Sequence, residues 1–257
     1  MKYFEEGLRV SKRLYADNYD SILVVIALYE IASLHFEMNF YNTAFKTAIE
    51  AQEICKRIIF ERNSPNFMIL SLIVRIMFKL KDFDNANDRL NDLINMHRNY
   101  KYNDPFECAN HKLNYIAKNL LYLGYRQKEA LDYALEALRI YEQNLPSGDF
   151  AFVDILLNIA KFYKECDDIV NSEKYLNKTL QLLISITLPG NSLELVFLYD
   201  QIGILLHSFG RYDEAISYLK KYYVIMKEKR LKSATVAFRY LWDCFAEKNE
   251  FEEAYRC

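Results

Sequence analysis

A five-residue phrase returns six times along this chain at almost constant spacing. It reads Leu28-Tyr-Glu-Ile-Ala32, Leu70-Ser-Leu-Ile-Val74, Leu113-Asn-Tyr-Ile-Ala117, Leu156-Leu-Asn-Ile-Ala160, Tyr199-Asp-Gln-Ile-Gly203 and Phe238-Arg-Tyr-Leu-Trp242, with starts 42, 43, 43, 43 and 39 residues apart. A fixed period of this length is the mark of a stacked repeat, in which each copy buries its apolar face against the next. Length then counts modules rather than domains, and the 257 residues read as one array. Only six glycines and four prolines occur, which favours long uninterrupted helices.

Each phrase lies in an amphipathic segment. In the fifth copy Tyr199, Ile202, Gly203 and Leu206 fall at i, i+3, i+4 and i+7, one stripe of a helix. A break at Ser208-Phe-Gly-Arg-Tyr212 follows, and a second helix opens at Asp213-Glu-Ala-Ile with Ala215, Leu219 and Tyr222 inward. Gly203 and Ala215 are small where two antiparallel helices must come close. Aligned on Ala215, the other second helices put Tyr3, Ala44, Ala86, Ala130, Ser172 and Ala254 in the same slot. Phe83-Asp, Tyr212-Asp-Glu and Phe251-Glu-Glu place carboxylates in a first helical turn, where the dipole favours them. Pro65, Pro105, Pro146 and Pro189 each lie a few residues before the next first helix, where a missing N–H costs little.

The predicted fold is an all-α, right-handed superhelical solenoid of antiparallel helix pairs. Residues 1–257 form a single array: a lone helix over 1–17 with Phe4, Gly7, Leu8 and Val10 as its buried face, pairs over 18–62, 63–104, 105–146, 147–188 and 189–231, and an incomplete pair over 232–257. Terminal repeats need polar caps, and the last segment carries none. The chain is therefore expected to be a piece of a longer array, or to self-associate through its uncovered C-terminal face.

This pattern resembles the tetratricopeptide repeat. The fifth copy carries the likeness best: Tyr199, Ile202, Gly203, Leu206, Tyr212, Ala215, Leu219 and Tyr222 stand where that family has its large and small core residues. The long period, the Leu145-Pro-Ser-Gly and Leu188-Pro-Gly-Asn linkers and the Leu-Asn-Tyr-Ile-Ala phrase are similar to the long-repeat branch typified by kinesin light chains. Val74 and Trp242 depart from the pattern at the small slot of the first helix, and Ser172 at the alanine of the second.

Catalysis finds no support in the residues. His35, His97, His111 and His207 are scattered without zinc-site spacing, and His35 falls on a core slot. There is no phosphate-binding glycine loop and no nucleophile elbow. The prediction is a non-enzyme with no cofactor and no metal. A net charge of -2 argues against nucleic acid or an anionic membrane as partner. No stretch has the ~18 apolar residues of a membrane span. The five dispersed cysteines read as reduced thiols and the first residues do not read as a secretory signal, so the expected compartment is the cytoplasm.

The candidate site is the inner groove. The position just after the small residue of each phrase holds Ser33, Arg75, Lys118, Lys161, Ile204 and Asp243, so three consecutive repeats offer a cation at one phase. Lys164 extends this stripe, and Asn114, Asn158, Gln201 and Asp200 flank it. Cations attract an acidic segment, and amides bond a peptide backbone without demanding a sequence. The predicted partner is a protein or peptide, acidic, held by Arg75, Asn114, Lys118, Asn158, Lys161, Lys164 and Gln201. The resemblance implies the same, since kinesin light chains bind short acidic cargo peptides. The chaperone carboxylate-clamp mode of tetratricopeptide arrays fits poorly, because its lysine and asparagine positions hold other residues. Two other readings are a signalling-peptide sensor of the tetratricopeptide type and the non-catalytic helical tail of a larger enzyme, as in some lysine methyltransferases.

Overall fold

A computed structural model of the chain describes residues 21–58, 64–185, 193–228 and 235–256. Among these the secondary structure is helical, in twelve helices: α1 Ile22–Glu37, α2 Tyr41–Ile58, α3 Ser64–Lys79, α4 Phe83–Asn99, α5 (105–123), α6 Gln127–Asn144, α7 Ala151–Glu165, α8 Ile169–Ser185, α9 Leu193–His207, α10 Tyr212–Glu228, α11 Thr235–Glu247 and α12 Phe251–Arg256. The expected lone helix at 1–17, with Tyr3, and Pro189 lie outside the described residues, as does the side chain of Ala254.

The chain divides into two compact bodies, residues 1–145 and 146–257. In the first body α1 packs on α2, α2 on α3, α3 on α4, and α5 on α6, with first helices also touching first helices, α1 on α3 and α3 on α5. Its core runs from Val24 to Ala130 through Leu28, Phe67, Ile73, Leu90 and Ile116. In the second body α7 packs on α8, α9 on α10, α10 on α11 and α11 on α12, around Val153, Leu157, Leu176, Ile202, Leu219 and Phe245.

The turn inside every pair repeats as faithfully as the phrase. Asn39, Lys81, Gly124, Asp167, Gly210 and Asn249 all have left-handed backbone, φ 62, 64, 78, 59, 70 and 59°. A left-handed residue after a helix lets the next amides close onto the last carbonyls. Phe40 N bonds His35 O at 2.8 Å, and the same step recurs at Asp82 to Met77, Asp168 to Tyr163, Arg211 to Leu206 and Glu250 to Phe245. The chain then re-enters a helix at once. Ala44, Ala86, Ala130, Ser172 and Ala215, all fully buried, donate their amides to the carbonyls of Phe40, Asp82, Arg126, Asp168 and Arg211.

The small slots work as the spacing predicts. A Cβ built on Gly203 would stand 2.6 Å from Leu219 Cγ and 2.7 Å from its Cδ2, so the α9–α10 approach requires a bare Cα there. Ser172 is accommodated because its hydroxyl donates to Ala160 O at 2.6 Å across the pair. Val74 is fully buried, whereas Trp242 stands 46 % exposed instead of entering the core. Pro65 and Pro105 are not in loops as expected. They occupy the first turns of α3 and α5, where the first amides have no helical acceptor in any case. Pro146 lies in the connection after α6.

Arginines latch successive pairs together beside the turns. Arg126 holds Glu129 with two nitrogens at 2.7 and 2.9 Å and reaches Asn87 and Asn91 of α4 with a third at 3.2 and 3.0 Å. Arg211 repeats this with Glu214, both bonds 2.7 Å, and Asn177 of α8, also 2.7 Å. The planar fork of a guanidinium suits it to bridging a carboxylate and an amide at once.

Two substitutions test this account. Gly203→Ala forces Leu219 out of place and is expected to lower stability by about 1–3 kcal/mol, the cost of overpacking. Lys81→Gly relieves a left-handed lysine and is expected to raise stability by up to about 1 kcal/mol. Denaturant unfolding of the two variants beside the parent measures both, and equal midpoints in all three would refute the argument.

Candidate functional site

The seven candidate groove residues fall into two clusters, one in each body. In the first body Arg75 follows Val74 on α3 and turns back toward α1. Its guanidinium lies 4.5 Å above the Phe36 ring, and Nη2 is 3.6 Å from Glu37 Oε1. Lys118 follows Ala117 on α5 and donates to Asn114 Oδ1 at 2.6 Å, while Asn114 donates to Asn110 Oδ1 at 2.5 Å. An amide acceptor aims an ammonium without cancelling its charge. His111–Ala117 of α5 is a π-helical turn, a wider winding that ends where the small slot begins.

One buried polar link behind this cluster had no signal in the phrase. Asn119 is buried and donates to Ser71 Oγ at 2.6 Å and to Tyr115 O at 2.7 Å, tying α5 to α3. The equivalent places in other copies hold Ile76, Phe162 and Leu205, all buried.

In the second body Lys161 on α7 donates to Gln201 Oε1 on α9. Asp200 stands beside Gln201. Burial pushes its carboxyl above the usual carboxylate range, the Lys161 charge opposes that, and its buried Oδ1 has no hydrogen-bond partner. Lys164 sits one turn beyond Lys161 with its ammonium 5.0 Å over Phe209, and burial lowers its pKa. Asn158 is buried and its amide donates to Asp154 O of its own helix at 2.8 Å, so it faces the interior rather than a groove.

The histidines are less scattered in space than in sequence. His97 at the end of α4 and His111 in α5 are both buried, and the Tyr102 hydroxyl lies between them, 2.5 Å from His97 Nδ1 and 2.9 Å from His111 Nδ1. A hydroxyl donates once, so one imidazole accepts from Tyr102 and the other donates to it. Phe67, Tyr100, Tyr115 and Tyr133 surround the pair with rings. Burial lowers both imidazoles to about 4, and the Lys112 charge adds to the effect at His97. A cavity of about 480 Å³ opens beside them, with Arg98, Cys108, Lys112, Asp132 and Glu136 on its wall. Lys112 is ion-paired to Glu136. Among the described residues no group of three or more His, Cys, Asp or Glu could hold a metal ion, and no helix is long and apolar enough to cross a membrane.

Two titrations follow. A histidine whose folded pKa lies below its unfolded value of 6.5 takes up protons on unfolding. Stability is therefore complete above about pH 6.5 and falls as pH drops toward about 4. Each imidazole contributes a slope of about 1.4 kcal/mol per pH unit in that window. Denaturant unfolding at pH 7 and pH 5 with NMR titration of both imidazoles checks this, and imidazoles titrating near 6.5 would refute it. Asp200→Asn removes a carboxylate whose charged form is disfavoured by burial, so it should stabilise the fold at neutral pH. The gain should vanish in acid, where Asp200 is itself protonated.

The tetratricopeptide repeat family matches residues 152–228, which run from the first turn of α7 to the end of α10. No curated protein matches the chain by sequence. Among solved structures, BtubC (BKLC) from P. vanneervenii aligns over 100 % of this chain and 85 % of its own, with TM-score 0.56 and 15 % identity. A Podosopora anserina kinesin light chain structure with nearly identical TPR-like repeats aligns over 81 % of this chain and 97 % of its own, with TM-score 0.55 and 12 % identity. A Pyrococcus horikoshii signal transduction ATPase of the STAND type, with a tetratricopeptide repeat sensor, aligns over 96 % of this chain but 36 % of its own, with TM-score 0.57 and 20 % identity. At these identities the likeness shows the fold: an all-α solenoid of tetratricopeptide-like helix pairs. Repeats of this family generally mediate protein–protein interaction.

Proposed function

We propose that the chain is a protein-interaction scaffold whose first helices take an extended acidic peptide segment, through Arg75 and Lys118 in the first body and Lys161 and Lys164 in the second. One observation carries the reading: a cation follows the small slot in three consecutive repeats, at Arg75, Lys118 and Lys161. Each is steered by a neighbour on its own or an adjacent first helix, Arg75 by Phe36 and Glu37, Lys118 by Asn114, Lys161 by Gln201. Side chains held this way lose less freedom on binding than lysines waving in solvent. Asn114 and Gln201 supply amide groups for a peptide backbone, and Lys164 adds charge one turn on. A scaffold of this kind needs no cofactor or metal, and it works in the cytoplasm.

The test is binding of an acidic-peptide library by the parent chain and by the triple reversal Arg75→Glu, Lys118→Glu, Lys161→Glu. The expected result is binding that weakens with salt and falls about tenfold or more in a folded triple variant. Unchanged binding, or no acidic peptide bound by the parent, refutes the reading. Single reversals in each body then report whether one cluster or both take the peptide.

A further inference from the structure

The second body carries a further set of lysines, on its second helices. Lys178 on α8 and Lys220, Lys221 and Lys227 on α10 are exposed. Each ammonium lies over an aromatic ring: Lys178 5.2 Å from Tyr175, Lys220 5.1 Å from Phe245, Lys221 4.8 Å from Tyr218 and 5.6 Å from Tyr199, and Lys227 5.9 Å from Tyr223. Among the described residues none of the four has a carboxylate within ion-pair distance.

The acids of the same helix are engaged elsewhere. Glu214 is held by Arg211, and Asp213 accepts from Lys248 at 2.5 Å. Glu228 stands at the far end of α10. The middle of α10 therefore presents positive charge with nothing of opposite sign to meet it, and ring faces hold that charge in place without neutralising it.

Beside Lys220 and Lys221 lies an open, shallow hollow of about 450 Å³, lined by Tyr199, Ser217, Val224 and Ile225. Val224 is half exposed at its edge and Ile225 is buried in its floor. A hollow of this volume is within the ordinary range of ligand pockets. An apolar hollow under two unpaired ammoniums matches one chemistry: a carboxylate next to an apolar side chain. A row of phosphates would leave the hollow empty.

We propose that this face of α10 is a second docking site, which takes an acidic peptide of a protein partner with its apolar anchor residue in the hollow and flanking carboxylates on Lys220 and Lys221. It is independent of the first-helix groove. Its specificity comes from the anchor and its rate of capture from the lysines.

The experiment uses the full chain and a fluorescein-labelled peptide in which a leucine is flanked on each side by two glutamates, read by fluorescence anisotropy. The parent is expected to bind it with an affinity that weakens as salt rises. Lys220→Glu with Lys221→Glu should weaken binding about tenfold or more, and Val224→Asp should do the same through the hollow. The same titration in the Arg75→Glu, Lys118→Glu, Lys161→Glu background removes the share of binding due to the groove, and the binding left there should still be lost on the Lys220/Lys221 reversal, which separates this site from the groove. A peptide with the leucine replaced by serine should bind about tenfold more weakly. No binding by the chain with the groove reversed, binding there that the Lys220/Lys221 reversal leaves unchanged, or equal binding of the serine peptide overturns the proposal. So does stronger capture of single-stranded RNA or of anionic phospholipid vesicles than of the peptide, tested in parallel with the same variants. Circular dichroism of each variant confirms that the helices remain.

Discussion

Everything in this fold rests on how closely the two helices of a pair can approach. At Gly203 the distance to Leu219 leaves no room for a methyl group, and the opposing slots at Ala44, Ala86, Ala130, Ser172 and Ala215 have no exposed surface. Close approach allows Leu90, Leu176 and Leu219 to be buried completely, and such burial is the main favourable term in folding. Ser172 shows that the constraint is one of size and not of polarity. Its hydroxyl fits because the carbonyl of Ala160 receives the hydrogen bond, so no buried polar group is left unsatisfied.

Once the pairs are closed, the turns hold them in phase. The left-handed residue at each turn stops one helix and starts the next within a few residues, which sets the position of the buried alanine behind it. Arg126 and Arg211 then tie their two turns to the second helix of the preceding pair. Within each body these contacts fix the phase of the helices they join. They also leave the outer residues of the second helices free to vary, and α10 uses that freedom to collect lysines and tyrosines.

Charge placement distinguishes the two proposed faces. On the first helices, cations are steered by amides, rings or a neighbouring acid on the same surface. On α10 the acids are drawn toward the turn by Arg211 and Lys248, and the lysines remain over aromatic rings. The difference follows from geometry. Asp213 and Glu214 belong to the first turn, next to the latch, while Lys220 and Lys221 lie two turns further along the helix.

The helix pairs, their small slots and their period were legible in the residues because they depend on local spacing: 3.6 residues per turn and about 43 per module leave a pattern that needs no contact to be read. The cation phase at Arg75, Lys118 and Lys161 was legible for the same reason. The common turn was only partly legible. Asn, Lys, Gly and Asp all occupy its left-handed position, and backbone geometry can recur where side chains do not. The exposure of Trp242, the inward amide of Asn158, the Ser71–Asn119 link and the meeting of His97 with His111 across Tyr102 were not legible at all. Each depends on which residues of different helices come within a few ångströms, and that is settled by packing between elements, where a shift of one side chain changes the partner without disturbing the repeat.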